Sequence, residues 1–282
     1  MQAKVNRALS EFEERGARNK NGQDRQINHI DPESGYMKGR FGMHAGYSVQ
    51  TVVDDKHGLI VQTEAGIDGN DRGQLFRQVE EAESTLGREC ESACADSGYS
   101  NVDEYEKVET ETRMAIVPTL QQVSDKERSP FDRSRFTYDE ERDCYLCPMG
   151  HRLLFRGFQD RGRRRKYRIE NPGVCRACSH YGPCTKAKQG RSIIRHRSEK
   201  LKERVEKRFE RPEVLEIYKR RKSRVELPFG FMKKGLGFTQ FNLRGRRGAQ
   251  AEASLLSLCF NLTRMMTILG GVRGFIANLT AI

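Results

Sequence analysis

The sequence predicts an α/β fold in which a mixed sheet is flanked by helices, and three observations support this prediction. Short runs of alternating apolar and polar residues at 47–53 and 59–65 are typical of half-buried strands. Helical periodicity follows at 73–86, and the predicted elements then run in the order strand, strand, helix, strand, helix, strand. A polar, Arg-rich segment with clustered cysteines, residues 120–195, interrupts this pattern and is predicted to be an insertion.

The chain before the first strand is predicted to be an exposed helix followed by a polar linker. Val5, Leu9 and Phe12 recur at roughly helical spacing, whereas residues 16–25 offer little apolar surface to bury. This part of the sequence does not have the pattern of a compact domain.

The strands and helices of the predicted sheet follow one another closely. The first two strands flank the polar residues 54–58, which predicts a hairpin. The helix at 73–86 has its apolar residues on one face. A short strand is predicted at 91–95, a further helix begins near Asn101, and a last strand follows at 114–118.

The last part of the chain is predicted to be helical. One helix runs from Ser198 through Glu226, and Pro228 either bends it or starts a new one. Residues 248–266 form an apolar helix that packs on the sheet. The predicted organisation is a helix with a linker, the first part of the α/β domain, the insertion and a helical last part, at residues 1–29, 30–119, 120–195 and 196–282.

The composition argues against a membrane protein. The 282 residues are 32% charged, with a mean hydropathy of −0.78. No apolar run approaches the roughly 18 residues that a spanning helix needs. No basic-then-apolar signal peptide begins the sequence, so a cytoplasmic location is expected.

The positive charge is concentrated in one segment. Residues 186–247 contain 21 Lys and Arg against 7 Asp and Glu, a net charge of +14, whereas the whole chain carries +12. Such a block is typical of a polyanion-binding surface. A solvated helical face is the alternative, because Glu alternates with Lys and Arg at 198–216. The basic cluster continues past that helix and favours nucleic acid, through Arg244, Arg246 and Arg247.

Five of the eight cysteines are clustered: Cys144, Cys147, Cys175, Cys178 and Cys184. Two of the spacings are Cys-x2-Cys, which lets two thiolates of one turn reach a single tetrahedral Zn²⁺. Four of the five are therefore predicted zinc ligands, and His151 and His180 are near enough in sequence to compete. The site would be structural, and it would fold an insertion that has little apolar core of its own.

Two acidic residues stand in distinctive surroundings. Asp96 follows a short apolar strand and precedes Gly98, which permits a sharp turn. Glu226 lies in a basic segment whose side chains supply donors for phosphate oxygens, namely Tyr218, Arg221, Lys222 and Lys233. Carboxylates that hold divalent cations, surrounded by cationic donors, are what two-metal phosphoryl transfer requires.

Over residues 30–266 the sequence resembles the DDE transposases of bacterial insertion sequences. The resemblance rests on several short motifs, which are Gly46-Tyr47-Ser48-Val49-Gln50, Val53-Asp54, Asp71 with Leu75, Ala95-Asp96-Ser97-Gly98-Tyr99, and Tyr218, Arg221, Val225-Glu226, Phe229-Gly230 and Lys233. The cysteine-rich segment is similar to an insertion found in one branch of these enzymes.

The resemblance implies an RNase H-like catalytic domain in which three acids hold two Mg²⁺ or Mn²⁺ ions. It implies cleavage of the phosphodiester at the element's ends and transfer of the freed strand to target DNA. Asp96 and Glu226 match the second and third acids, and Arg221 and Lys233 match contacts to DNA phosphates. The first acid normally lies on the first strand, whereas the strand at 47–53 resembles the second. The chain thus resembles a truncated transposase, with Asp54 or Asp31 as substitutes within the chain.

Two functions follow from these patterns. The first is a transposase that acts on DNA, as a homodimer or with an upstream transposase fragment that supplies the missing acid. The alternative is an inactive remnant that serves only as a zinc-stabilised DNA-binding protein. A catalytic role requires Asp96 and Glu226 to share a cation, whereas a binding protein has no such requirement. An RNase H-like nuclease of another kind would share the acids but lack the segment around Glu226.

Overall fold

The computed structural model describes residues 2–16, 18, 22, 24–39, 42–124, 127 and 129–279. The strands are β1 Gly35–Gly39, β2 Gly42–Gly46, β3 Ser48–Val53, β4 Ile60–Gly66, β5 Ser92–Cys94, β6 Met114–Ile116, β7 Thr137–Asp139, β8 Cys144–Leu146, β9 Arg152–Gln159, β10 Arg164–Ile169 and β11 Ser192–His196. The helices are α1 Gln2–Arg15, α2 Leu75–Leu86, α3 Val102–Val108, α4 Pro172–Ala177, α5 Glu199–Phe209, α6 Pro212–Gly230, α7 Gly245–Ile268 and α8 Val272–Leu279. Two compact units result, one formed by Met1–Val117 with Phe209–Ile282 and the other by Pro118–Arg208.

The predicted hairpin is confirmed in the first unit. β3 and β4 pair antiparallel, from Ser48 opposite Gly66 to Val53 opposite Ile60. Asp54 holds the turn between them, because its carboxylate accepts hydrogen bonds from the backbone N–H groups of His57 and Leu59, at 2.8 and 2.6 Å. A hairpin at 35–46, formed by β1 and β2, was not predicted from the sequence.

The mixed α/β character is confirmed, but the described strands of this unit form separate pairs instead of one sheet. β3 and β4 are antiparallel, whereas β5 and β6 are parallel. Among the described residues no strand pairs with the second edge of β3 or of β5. The prediction of one continuous mixed sheet is therefore not met among the described strands of this unit.

α7 closes the other edge of the β3–β4 hairpin with side chains. The Asn261 amide accepts a hydrogen bond from the Ile60 N–H and donates one to the Ile60 carbonyl, both at 2.8 Å. About three turns earlier on the same helix, Gln250 accepts from the Ala65 N–H at 2.8 Å and donates to the Thr63 carbonyl at 3.0 Å. Four backbone groups of β4, which a neighbouring strand would otherwise bond, are thus hydrogen-bonded to side chains of α7.

The apolar contacts of the first unit follow the predicted faces. α2 buries Leu75, Val79 and Ala82, as its periodicity indicates. α7 packs on β4 through small side chains at one end and through Phe260 at the other, where Ile60 and Met232 complete the cluster. No single helix among the described residues is long and apolar enough to cross a membrane, and α7 with α8 meets that test only as a pair bent by 93°.

The helix predicted from Ser198 through Glu226 is broken in the structure. α5 ends at Phe209 and α6 begins at Pro212. Proline has no N–H to contribute to an ongoing helix, and its fixed φ suits the first turn of a new one. Pro228 lies inside α6, which continues to Gly230 and then widens at Phe231–Gly235.

The second unit contains an antiparallel sheet with the strand order β11, β10, β9, β8, β7. One face buries a cluster of apolar and aromatic side chains, which are Phe136, Tyr145, Leu153, Tyr167, Ile169 and Ile193. The expectation of an insertion with little apolar core was wrong. Arginines alternate with the buried aromatic residues along the strands, so the average composition is polar although one face is not.

Candidate functional site

Asp96 lies where the sequence predicts it, just beyond a strand. β5 ends at Cys94, and Asp96 begins a short helical turn over Ser97–Tyr99. One carboxylate oxygen, Oδ1, accepts a hydrogen bond from the Gly98 N–H at 2.8 Å. The side chain is half-buried, so this carboxylate is held in place while remaining accessible.

A second carboxylate, Asp71, approaches the same point, and the sequence did not identify it as a site residue. A side-chain carbon at position 98 would lie 2.9 Å from Asp96 Oδ1 and 3.3 Å from Asp71 Oδ2. Gly98 thus provides the space in which these two oxygens come together. Two carboxylates at one place are a ligand set for a divalent cation.

Gln50 and Tyr99 hold Asp71 in position. Gln50 lies in β3, is 5% exposed, and donates from Nε2 to Asp71 Oδ1 at 2.7 Å. Its amide oxygen accepts a hydrogen bond from the Tyr99 hydroxyl. Burial raises the pKa of Tyr99, and Asp71 and Asp96 raise it further. Tyr99 therefore stays protonated at neutral pH, and it fixes the orientation of the Gln50 amide.

Arg221 belongs to the same charged cluster. Burial is the largest cause that raises the pKa of Tyr218. The charge of Arg221 opposes this shift, and the charge of Asp96 adds to it. The Arg221 guanidinium lies 5.1 Å from the centroid of the Tyr218 ring, one turn earlier on α6. Its Nε is buried and has no hydrogen-bond partner among the described residues. Five other arginine nitrogens of the described residues share this property, so it is the position of Arg221 beside Asp96 that suits a contact to phosphate.

Glu226 and the lysines around it are on the surface of the unit. The side chains of Lys222, Glu226 and Lys233 are exposed, and none of the three has an ion pair or a side-chain hydrogen bond in the described part of the chain. Within residues that the structure describes, no group of three or more His, Cys, Asp or Glu side chains could hold a metal ion. The carboxylate pair therefore stands without a third acid.

The two substitutes considered for the first acid make structural contacts. Asp54 holds the hairpin turn described above. Asp31 accepts hydrogen bonds from the Tyr47 hydroxyl at 2.9 Å and from the Gly245 N–H, at the start of α7, at 3.2 Å. The hydrogen bonds that the structure shows for these two carboxylates are made to groups outside the Asp71–Asp96 pair.

The arginines at the start of α7 are exposed. These are Arg244, Arg246 and Arg247. The Arg246 N–H donates to Glu33 Oε2 at 2.7 Å, and its guanidinium lies 3.8 Å from Glu11. Part of the basic charge predicted to contact DNA is therefore balanced by acids within the chain, whereas the guanidinium groups themselves remain accessible.

Of the five clustered cysteines, one is buried in the sheet of the second unit and the other four line a pocket. Cys144 is 1% exposed in β8, inside the sheet. The other four line one pocket, together with His151 and His180, and they are Cys147, Cys175, Cys178 and Cys184. Burial raises the pKa of Cys184, Arg191 opposes this, and the three neighbouring thiols raise it further. The donor set suits Zn²⁺ in kind, although the spacing in this structure is not that of a metal site.

The zinc hypothesis thus predicts a specific ligand set. We expect purified protein to contain about one zinc per chain, and Cys147→Ser or Cys178→Ser to lose it. The matched variant Cys144→Ala should keep the metal, because this thiol lies in the core of the sheet and outside the pocket. Elemental analysis after gel filtration measures the content. A metal-free wild-type chain, or zinc loss only in Cys144→Ala, would contradict the hypothesis.

A comparison with protein families gives one match, to the family described as transposase DDE domain, over residues 146–266. Over this segment, which is less than half of the chain, the sequence is similar to the DDE transposases. The resemblance stated from the sequence is confirmed at this level, and a DNA substrate is implied by the family. Neither the comparison with curated proteins nor that with solved structures gave a match.

The DDE segment covers only part of the candidate site. It includes Arg221, Glu226 and Lys233, and it also spans most of the second unit with its four pocket cysteines. Asp71 and Asp96 lie before it. The grouping of these two acids beside Arg221 therefore comes from the geometry of the first unit and not from the family match.

Proposed function

We propose that the chain is the catalytic part of a DNA transposase, which cleaves DNA strands at an element's ends and transfers them to target DNA. The observation that carries this proposal is the approach of Asp71 and Asp96 to one point beside Gly98, in the same charged cluster as the Arg221 guanidinium. Two carboxylates that face one point repel each other, and a bound cation would relieve this repulsion.

The donor set fits a hard divalent cation. Mg²⁺ is commonly held by one or two carboxylates, together with water and phosphate oxygens. Asp71 Oδ2 and Asp96 would be the ligands, and Asp71 Oδ1 would stay bonded to Gln50. When bound, Mg²⁺ or Mn²⁺ would neutralise developing charge on the phosphate and lower the pKa of an attacking hydroxyl.

The remaining side chains of the site orient the carboxylates or bind DNA. Gln50 orients Asp71, because its Nε2–H donates a hydrogen bond to Asp71 Oδ1. The free Nε of Arg221 would donate to a phosphate oxygen of DNA. Lys222 and Lys233 are exposed and would contact phosphates further along the strand.

The third acid has two sources under this proposal. Glu226 is exposed and free of partners among the described residues, so it is available to join the site once DNA is bound. A further acid would come from a strand that pairs with the open edges of β3 and β5, supplied by an upstream transposase fragment. We further propose that two chains form a homodimer in the cytoplasm. The exposed arginines at the start of α7 would bind DNA.

Metal binding tests this proposal without activity. We expect Mn²⁺, titrated into the chain and followed by electron paramagnetic resonance, to bind at least about tenfold more weakly to Asp71→Asn than to the wild type. The loss follows because one of two charged ligands becomes a neutral amide. The matched control is Asp55→Asn, since Asp55 pairs with Arg220 at 2.8 Å in the exposed hairpin turn.

Equal Mn²⁺ affinity in wild type and Asp71→Asn would contradict the proposed metal pair. The alternative function, an inactive DNA-binding remnant, would then gain support if the chain still bound DNA. Its distinguishing result is DNA affinity that is unchanged by both Asp71→Asn and Glu226→Ala but reduced by Arg221→Ala.

A further inference from the structure

The outer face of the sheet in the second unit carries a basic surface that lies outside residues 186–247. Residues 152–168 contain eight Lys and Arg and one acid, Asp160, which is a net charge of +7. Almost all of this segment is β9, β10 and the turn between them. The basic face is defined by Arg152, Arg156, Arg164, Lys166 and Arg168.

Strand alternation sorts the side chains of β10 onto two faces. Tyr167 is fully buried in the core, and Arg165 on the same face lies 2.5 Å from Asp143. Arg164, Lys166 and Arg168 alternate with them and therefore point to the opposite face. On the neighbouring strand Ile194 is opposite Lys166 and is 43% exposed, which shows that this face is not covered by another layer.

The charges of the basic face are weakly neutralised. Arg164 lies 3.6 Å from Asp160, and Arg152 lies 3.8 Å from Glu170, both in exposed pairs. Lys166 and Arg168 have no ion pair in the described part of the chain. The Arg168 Nε is also buried without a hydrogen-bond partner there. Exposed pairs at such distances contribute little, so the face keeps most of its positive charge.

The spacing of these cations suits a nucleic-acid backbone. Alternate residues of a strand are roughly 6.8 Å apart, on the order of two steps of the 3.4 Å rise of a DNA strand. The outward positions of β9, β10 and β11 include neither Phe nor Tyr. Phe158 of β9 is 64% exposed, but it is paired with Arg165 and therefore lies on the opposite face. Single-stranded nucleic acid is commonly bound by stacking on aromatic rings, so their absence from the outward positions favours the phosphates of a duplex.

We propose that the basic face is a binding surface for the phosphate backbone of duplex DNA, separate from the carboxylate pair of the first unit. The inference rests on the proposed function only in its choice of DNA as the polyanion. Its contacts would be made to phosphates and would not distinguish base sequences. The face would hold DNA independently of the divalent cation, since Lys and Arg bind phosphate directly.

The test is DNA binding by the full chain in EDTA, which excludes metal-dependent contacts and catalysis. Fluorescence anisotropy with a 30-base-pair duplex would be measured over a range of salt concentrations. The variant Arg164→Gln with Lys166→Gln and Arg168→Gln is expected to bind at least about tenfold more weakly at 0.1 M salt. The slope of log K against log salt should fall by about 2.7, which corresponds to three lost phosphate contacts.

The matched control removes the same charge from exposed positions of the same unit. Arg142, Lys188 and Lys200, all exposed, would be replaced together by Gln. Equal weakening in both triple variants would overturn the proposal, because net charge alone would then explain binding. Unchanged binding in the first triple variant, or a preference for single-stranded DNA in the wild type, would also overturn it. The single variant Lys166→Gln provides a second test in case the triple variant misfolds. Its slope of log K against log salt should fall by about one.

The outcome is independent of the proposed catalysis. A chain that binds duplex DNA through this face but fails to bind Mn²⁺ supports the surface and contradicts the carboxylate site. A chain that binds Mn²⁺ in the expected manner, with DNA affinity unaffected by the first triple variant, supports the site and contradicts the surface.

Discussion

Asp96→Asn is expected to reduce DNA strand cleavage by at least about 10³-fold, the range seen when a residue essential to the chemical step is removed. The substitution keeps the size of the side chain and its hydrogen bond to the Gly98 N–H but removes the charge that a divalent cation needs. The measurement is single-turnover cleavage, with Mg²⁺ or Mn²⁺, of duplex DNA that carries the ends of the encoding element.

Two comparisons make this result specific. Asp55→Asn should cleave like the wild type, because Asp55 lies in an exposed turn and pairs with Arg220. DNA binding by Asp96→Asn in EDTA should match the wild type within about twofold, since the lost group acts through the metal. Wild-type cleavage rates in Asp96→Asn would refute a metal role for this carboxylate.

The same assay decides whether the chain acts alone. If the wild type cleaves only after the polypeptide encoded upstream is added, an acid from that polypeptide completes the site. If it cleaves by itself, Asp71 and Asp96 with Glu226 suffice. A wild type that is inactive under both conditions but binds DNA would support the alternative of a remnant.

Arg113→Met is expected to lower the free energy of unfolding by about 3–5 kcal/mol, the usual cost of breaking a buried ion pair from one side. Arg113 is 7% exposed and lies 2.5 Å from Glu83 of α2. It also donates to the Val108 carbonyl at 2.7 Å and to the Lys107 carbonyl at 3.3 Å, at the end of α3. Chemical denaturation of the variant measures the loss.

The pH dependence of this pair has a definite sign. Burial alone would raise the pKa of Glu83, but Arg113 and the Cys90 N–H outweigh it, and the pKa lies below its ordinary value. The pair therefore contributes stability above the ordinary pKa of a glutamate, and this contribution is lost as the pH falls through the lowered pKa. The difference in stability between the wild type and Glu83→Gln should shrink as the solution is acidified. A constant difference from neutral to acidic pH would contradict this account.

The elements around the site could be predicted from the sequence where local patterns decide them. The β3–β4 hairpin follows from alternation and a polar turn, and Asp96 from its place after an apolar strand. Asp71 appears among the motifs of the family resemblance, but its place in the site could not be predicted from local pattern, because only the fold brings the loop after β4 to Gly98. One signal was present: Gln50 is a polar residue at a buried position of β3, and such a residue requires a partner.

The second unit was harder to predict, for a physical reason. Its core consists of tyrosines and phenylalanines that alternate with arginines, so hydrophobicity averaged along the strands conceals the buried face. The same alternation produces the basic face on the other side of the sheet. Spacing also left open which four of the five clustered cysteines would bind zinc, whereas the structure places Cys144 in the core of the sheet and the other four around one pocket.

The amides of Asn261 and Gln250 have a consequence for self-association. Edge strands with free backbone groups are templates for open-ended fibres, since each added strand presents a new edge. In the β3–β4 hairpin one side is sealed by α7, so any strand that joins must do so through β3. When two copies meet through that edge, each presents only its sealed side outward. Growth along this hairpin therefore stops at a pair and does not propagate.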